Sequence, residues 1–213
     1  MVKTLLITRP KHDITTRYLF YWSHELIDLA KEKGFSVLDL DDKRANAKEF
    51  NSMVRKHEPS FVFINGHGDE NVVCGQDNEI LVEADKNEEI FSSKIIYALS
   101  CKSAKILGRK SIEKGALVYI GYEDDFIFFR DNERISRPLE DKTAALFLEP
   151  SNQLVRSMLK GHSAEDSFNR SKNKFYENIK SLLSSESSDN FLVPWLLWDL
   201  KNQVCLGKKD AIL

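Results

Sequence analysis

The feature that most constrains this chain is a repeated alternation of short apolar runs with amphipathic segments. Val2 to Thr8 is an apolar, β-prone run, and Thr15 to Gly34 follows with Leu19, Trp22, Leu26, Leu29 and Ala30 at helical spacing. Phe35 to Leu40 predicts a second strand, Asn46 to His57 a helix with Phe50, Met53 and Val54 inward, and Phe61 to Asn65 a third strand. Strands that alternate with helices build a parallel sheet, because each crossover must carry the chain back to the starting edge.

The alternation pauses at Glu70 to Ala84, where NVVCG and EILVEA flank the polar QDN and predict an inserted β-hairpin. It resumes with a strand at Lys94 to Leu99, a helix from Ser103 to Lys114 closed by Gly115, and a strand at Ala116 to Tyr122. The third to fifth strands are apolar throughout, as strands covered on both faces should be. Beyond Tyr122 come the acidic EDD, the apolar FIFF and a charged loop, RDNERISRPLEDK. Helices are expected over 142–160 and 163–182, then a polar Ser-rich connector over 184–190. WLLWDLKNQVCLG predicts a closing hairpin turned at Lys201 and Asn202. The 213 residues fit one α/β domain over 1–213, a three-layer sandwich with helices on both faces of a mostly parallel sheet.

Several function classes are disfavoured. A net charge of −2 supplies no electrostatic footprint for nucleic acid or an anionic membrane. The apolar stretch before Arg9 and Pro10 is too short for a signal-peptide core, and Phe191 to Trp198 is interrupted by Pro194 and too short to span a bilayer. A cytoplasmic protein is expected. Cys74, Cys101 and Cys205 form an odd, sparse set without CxxC spacing, which points to reduced thiols rather than a disulfide framework or zinc finger.

Two strands end in reactive side chains: FVFINGHG places His67 at one end and KIIYALSC places Cys101 at another. Ligand sites of open α/β sheets lie beyond the carboxyl ends of the strands, and the separation 101 − 67 = 34 holds one crossover plus the hairpin. A thiol attacks as thiolate, and a nearby imidazole is a common way to form one. Cys101 is also expected to open a helix whose positive end favours the thiolate. The Gly68 amide, with that of Cys101, suits an oxyanion hole for acyl transfer. Cys74 and Cys205 read as packing groups, and His12, His24, His57 and His162 as surface or helix-face histidines. A metal site from His67, Asp69, Cys74 and Cys101 fits no recurring ligand pattern, so neither a metal nor a cofactor is expected.

The strand into Asn65-Gly66-His67-Gly68, the strand into Ala98-Leu99-Ser100-Cys101-Lys102-Ser103-Ala104 and the following Ala116-Leu117-Val118-Tyr119-Ile120-Gly121 together resemble caspase-like cysteine peptidases, especially the CHAT, separase and gingipain branches. The resemblance covers roughly 60–122, and the Gln-Ala-Cys-x-Gly signature of caspases themselves is not met. It implies a Cys/His dyad in an endopeptidase: Cys101 attacks the scissile carbonyl, His67 protonates the leaving amine, and the Gly68 and Cys101 amides hold the oxyanion. Asn65 and Asp69 are near enough in sequence to orient the imidazole. The segment after the following strand helps build the S1 pocket in these families, and here it holds Glu123, Asp124 and Asp125, which favour a basic residue before the cut. Arg130, Arg134 and Arg137 are expected self-cleavage sites. Protein substrates are implied, with regulation by a partner chain. Two other readings compete: the same fold as a non-catalytic binding module, and an unrelated small-ligand protein, which lacks any Gly-rich phosphate loop.

Overall fold

The structure is a computed structural model and describes residues 3–184 and 188–213. Its centre is a six-stranded sheet in the order β2-β1-β3-β7-β8-β9, where β1 is Thr4–Arg9, β2 Ser36–Asp41, β3 Phe61–Asn65, β7 Ile95–Leu99, β8 Val118–Tyr122 and β9 Gln203–Gly207. All neighbours are parallel except β8 and β9. Three short strands, β4 (Gly68–Asp69), β5 (Val72–Cys74) and β6 (Ile80–Glu83), form the expected antiparallel insertion beside the carboxyl edge.

The run and helix alternation translates directly. β3, β7 and β8 are buried at every position, and side chains alternate between two cores. On one face Leu5, Ile7, Phe63, Tyr97 and Ile120 meet α1 (Ile14–Trp22), α2 (His24–Glu32), α5 (Lys142–Leu159) and α6 (Ala164–Ser184). On the other, Leu6, Val62, Ile64, Ile96 and Tyr119 meet α3 (Ala47–His57) and α4 (Leu107–Glu113). No helix among the described residues is long and apolar enough to cross a membrane.

Three expectations are corrected. The single helix of 15–34 is two, because the Ser23 hydroxyl donates to Leu19 O at 2.7 Å while Asn152 donates to Trp22 O at 2.8 Å; Leu26 N turns instead to Ser23 O at 3.2 Å. The closing hairpin is a helix followed by a strand: Val193–Asn202 is α7, opened by Pro194 in its first turn, and it buries Val193, Leu196 and Asp199 at helical spacing before β9 pairs with β8. The helix after Cys101 does not begin there. Residues 101–106 are turns and α4 opens at Leu107. Part of the Ser-rich connector, 185–187, lies outside the described residues.

The carboxyl edge is stitched by side chains. Buried Thr8 accepts the Asn65 amide at 3.1 Å and donates to Asn65 O at 3.2 Å, and Asn65 Nδ2 donates to Thr8 O at 2.9 Å. Arg9 forks onto Asp39 of β2 at 2.8 and 2.5 Å and lies 4.3 Å from the Phe20 ring. Thr8→Val keeps the shape but leaves the buried Asn65 N–H without an acceptor, and is expected to cost about 1–3 kcal/mol in urea unfolding with an unchanged m value.

Candidate functional site

Asn65 pairs with Leu99 in parallel register, so His67 (67 − 65 = 2) and Cys101 (101 − 99 = 2) each lie two residues past paired strand ends. Both loops are held close. Gly66 N donates to Leu99 O at 3.4 Å, and a Cβ built on Gly68 would lie 3.0 Å from Ser100 Cβ and 3.3 Å from Cys101 O. Tighter still is Val72 O of the inserted hairpin, at 2.8 Å, so Gly68 is the residue type that lets the hairpin close with the Cys101 loop packed beside it. The Cys101 amide makes no hydrogen bond among the described residues, and Gly68 sits opposite Val73 in β4.

The partner of His67 is a residue the sequence reading passed over. Asp13 follows β1 and caps α1: its Oδ1 accepts the Thr16 amide at 2.7 Å and the Thr16 hydroxyl at 2.8 Å, while Oδ2 lies 2.5 Å from His67 Nε2. One oxygen is spent on the helix terminus and the other on the imidazole. Burial works to raise the Asp13 carboxyl, but hydrogen bonds from Thr16 and His67 and the His67 charge outweigh it and hold the group below its ordinary value. Asn65 and Asp69 do not orient the ring: Asn65 is committed to Thr8, and Asp69 Oδ1 accepts the Glu70 amide at 2.9 Å. The missed signal was Asp13-Ile14-Thr15-Thr16, a capping box directly after a strand. His12 also belongs here, its ring 5.8 Å from that of His67, centroid to centroid.

The thiol side departs from expectation. With no helix opening at Cys101, the turn amides go elsewhere: Lys102 N donates to Asp124 O and Ala104 N to Tyr122 O, both at 3.0 Å, and Leu107 N donates to Glu70 O at 2.9 Å. Cys101 Sγ contacts Phe126 O at 3.9 Å and shares no hydrogen bond with His67 among the described residues. Burial pushes the thiol up to about 11, against the thiolate expected from a helix terminus.

The three acidic residues are partly occupied. Glu123 pairs with Arg109 at 2.5 Å, Asp125 with Lys102 at 3.3 Å, and Asp124 Oδ1 accepts the Asp125 amide at 2.8 Å. Asp125 is near enough to Cys101 to contribute to its raised value. The strap that follows is held from α7, where Trp198 donates to Asp125 O at 2.9 Å and fully buried Asp199 accepts the Ile127 amide at 3.0 Å. The other Asp199 oxygen has no partner among the described residues, and burial pushes that carboxyl well above the ordinary range. The arginine loop is docked on α1 and α5, with Trp22 donating to Pro138 O at 3.0 Å and Tyr18 to Asp141 at 2.7 Å, while Arg130 and Arg137 stay exposed.

A thiol raised to about 11 carries little thiolate at neutral pH. Iodoacetamide labelling of Cys101 at pH 7.5, assigned by peptide mapping against Cys101→Ala, is expected to run about 100-fold slower than for an ordinary free thiol and to rise up to pH 11.

No protein-family model matches the chain, and no curated protein sequence does. Solved structures do. The complex of the pro- and mature domains of Porphyromonas gingivalis RgpB matches with a TM-score of 0.64 at 10% identity, over 99% of this chain and 48% of that one. The Arg specific cysteine proteinase gingipain R matches with a TM-score of 0.63 at 10% identity, over 99% and 47%. The structure of a protease matches with a TM-score of 0.58 at 14% identity, over 99% and 48%. The chain thus spans about half the length of these proteins, and at such identities the likeness is one of fold. The mostly parallel six-stranded sheet flanked by helices agrees with it: the chain has the caspase-like fold, in the form seen in gingipain R.

Proposed function

We propose that this chain is a cysteine endopeptidase in which Cys101 and His67 form the dyad and Asp13 is the positioning residue for His67. The observation that carries the reading is the parallel β3 and β7 pair, which delivers an imidazole and a thiol two residues beyond the same edge, with the imidazole already clamped by a carboxylate. Asp13 takes Nε2, which leaves Nδ1 for the proton traffic of the reaction. Cys101 attacks the scissile carbonyl carbon, its proton passes to His67, and His67 returns a proton to the departing amine. Water then cleaves the acyl-enzyme. The amides of Cys101 and Gly68 are the donors for the oxyanion.

The resting thiol lies against the Phe126 carbonyl and burial raises it, so a shift of the 125–129 strap on binding substrate or a partner chain would free it for attack. The matched complex of a pro-domain with its mature enzyme supports such a partner. Specificity for a basic residue before the cut rests on Asp124 and Asp125 beside the nucleophile, where an incoming guanidinium competes with Lys102 for Asp125 in a solvent-screened pair. Gingipain R, whose structure this chain resembles, is Arg specific, in keeping with that choice. The half-covered, neutral thiol also favours a second reading, a caspase-like fold that binds a partner without cutting it.

Fluorogenic peptides ending in Arg, Lys, Asp or Ala, together with an Arg-directed acyloxymethyl ketone probe, separate these readings. Expected are cleavage after Arg or Lys, probe attachment to Cys101, losses of about 10³-fold or more in Cys101→Ala and His67→Ala, and in Asp13→Asn a smaller loss in kcat with a shifted pH profile. Preference for Asp or Ala overturns the basic specificity. Probe attachment to Cys74 or Cys205 overturns the site, and no turnover with or without candidate partners leaves the binding module. Incubated active chain is expected to be cut at Arg130, Arg134 or Arg137, read by intact mass against Cys101→Ala.

A further inference from the structure

We propose that His12, Asp13 and His67 form a site for one zinc ion, placed directly on the imidazole and carboxylate pair. One ligand atom from each residue lies within 4.8 Å of the other two. Asp13 Oδ2 is central, 2.5 Å from His67 Nε2 and 3.7 Å from His12 Nε2. Tetrahedral zinc bonds of about 2.0–2.1 Å set ligand atoms about 3.3 Å apart, so the His67 contact opens by under about 1 Å and the His12 contact closes slightly.

The site is built before any ion arrives. The Asp13 oxygen not offered to zinc is held by the Thr16 amide and hydroxyl, the outer hydrogen bonding that orients a ligating carboxylate. His67 is fixed by its loop, where Cys74 N donates to His67 O at 2.9 Å. The buried Nδ1 of His12 has no partner among the described residues, and its Nε2 makes one 3.3 Å hydrogen-bond contact, with Asn78 Oδ1, besides its 3.7 Å approach to Asp13 Oδ2. The Nε2 lone pair is therefore released at the loss of one weak contact. Two imidazoles and one carboxylate are borderline donors that suit zinc and disfavour the all-oxygen shells of magnesium and calcium. Three protein ligands leave a fourth position for water.

Zinc enters as the dication and takes the Nε2 lone pair of the neutral imidazole of His67, whose one ring proton then sits on Nδ1, with no change of oxidation state. Ligand binding stands on this geometry alone. Its consequence rests on the peptidase reading: a metal-bound imidazole no longer accepts the Cys101 proton, so zinc switches the dyad off.

The full chain, stripped with EDTA and dialysed, is titrated with zinc chloride by calorimetry and in competition with a chromogenic chelator. Expected is one zinc per chain, unaffected by millimolar magnesium or calcium, with affinity lowered about 100-fold or more in His12→Ala and in His12→Gln, whose folding is checked by urea unfolding. In imidazole ¹⁵N spectra of the wild type, the His12 and His67 nitrogens shift together on zinc addition. Cys101→Ala retains the affinity. No binding at 100 µM zinc, equal binding by the His12 variants, or loss of binding in Cys101→Ala overturns the site. Zinc binding by a chain without peptidase activity sinks the peptidase reading and keeps the site, and uninhibited turnover with zinc bound overturns the switch.

Discussion

Everything at the carboxyl edge depends on the parallel register of β1, β3 and β7. Thr8 faces Ile64, and Asn65 faces Leu99, so three strands end together and three loops leave the sheet at one level. The Thr8 and Asn65 side chains lock two of those ends by three hydrogen bonds inside the protein, where an unmade bond is costly. From the first loop comes Asp13, from the second His67 and from the third Cys101. Crossover handedness keeps them on the same edge, and burial of both faces of β3 and β7 forbids a one-residue slip, which would exchange the two cores.

The two halves of the site are prepared to different degrees. The imidazole is held by a carboxylate whose other oxygen is tied to a helix terminus, so neither group needs to reorganise. The thiol is held the other way, protonated, half covered and facing a carbonyl of the strap that α7 secures at Asp125 and Ile127. The 125–129 strap thus covers one side of the thiol, and its anchoring on α7 keeps the Phe126 carbonyl there. Glu123 and Asp125 are likewise satisfied by Arg109 and Lys102, so the acidic segment offers an exchange of partners rather than bare charge.

Much of this was legible in local pattern. The strands, most helices and the hairpin announced themselves through period and turn residues, and His67 and Cys101 through their place at strand ends. The misses have specific causes. Asp13 is 54 residues from His67 (67 − 13 = 54), and its capping box marks a helix terminus but not that the second carboxylate oxygen turns toward a distant loop. WLLWDL carries an apolar content that suits strand or helix, and packing of Val193 and Leu196 against α5 and α6 residues such as Phe147 and Phe175 decided for helix. The start of α4 moved from Ser103 to Leu107 because the Lys102 and Ala104 amides found acceptors at Asp124 and Tyr122, at and just past the end of β8, a competition invisible along the chain.

By itself the sequence determined an α/β sheet, the order of its elements and which two reactive side chains terminate its central strands, because periodicity and turn chemistry act between near neighbours. Tertiary structure alone decided that Asp13 clamps His67, that His12 joins them, that the acidic residues arrive already paired and that the thiol rests protonated beneath Phe126. Those are properties of groups brought together from separate loops, whose charge states depend on burial and partners that exist only once the sheet has assembled.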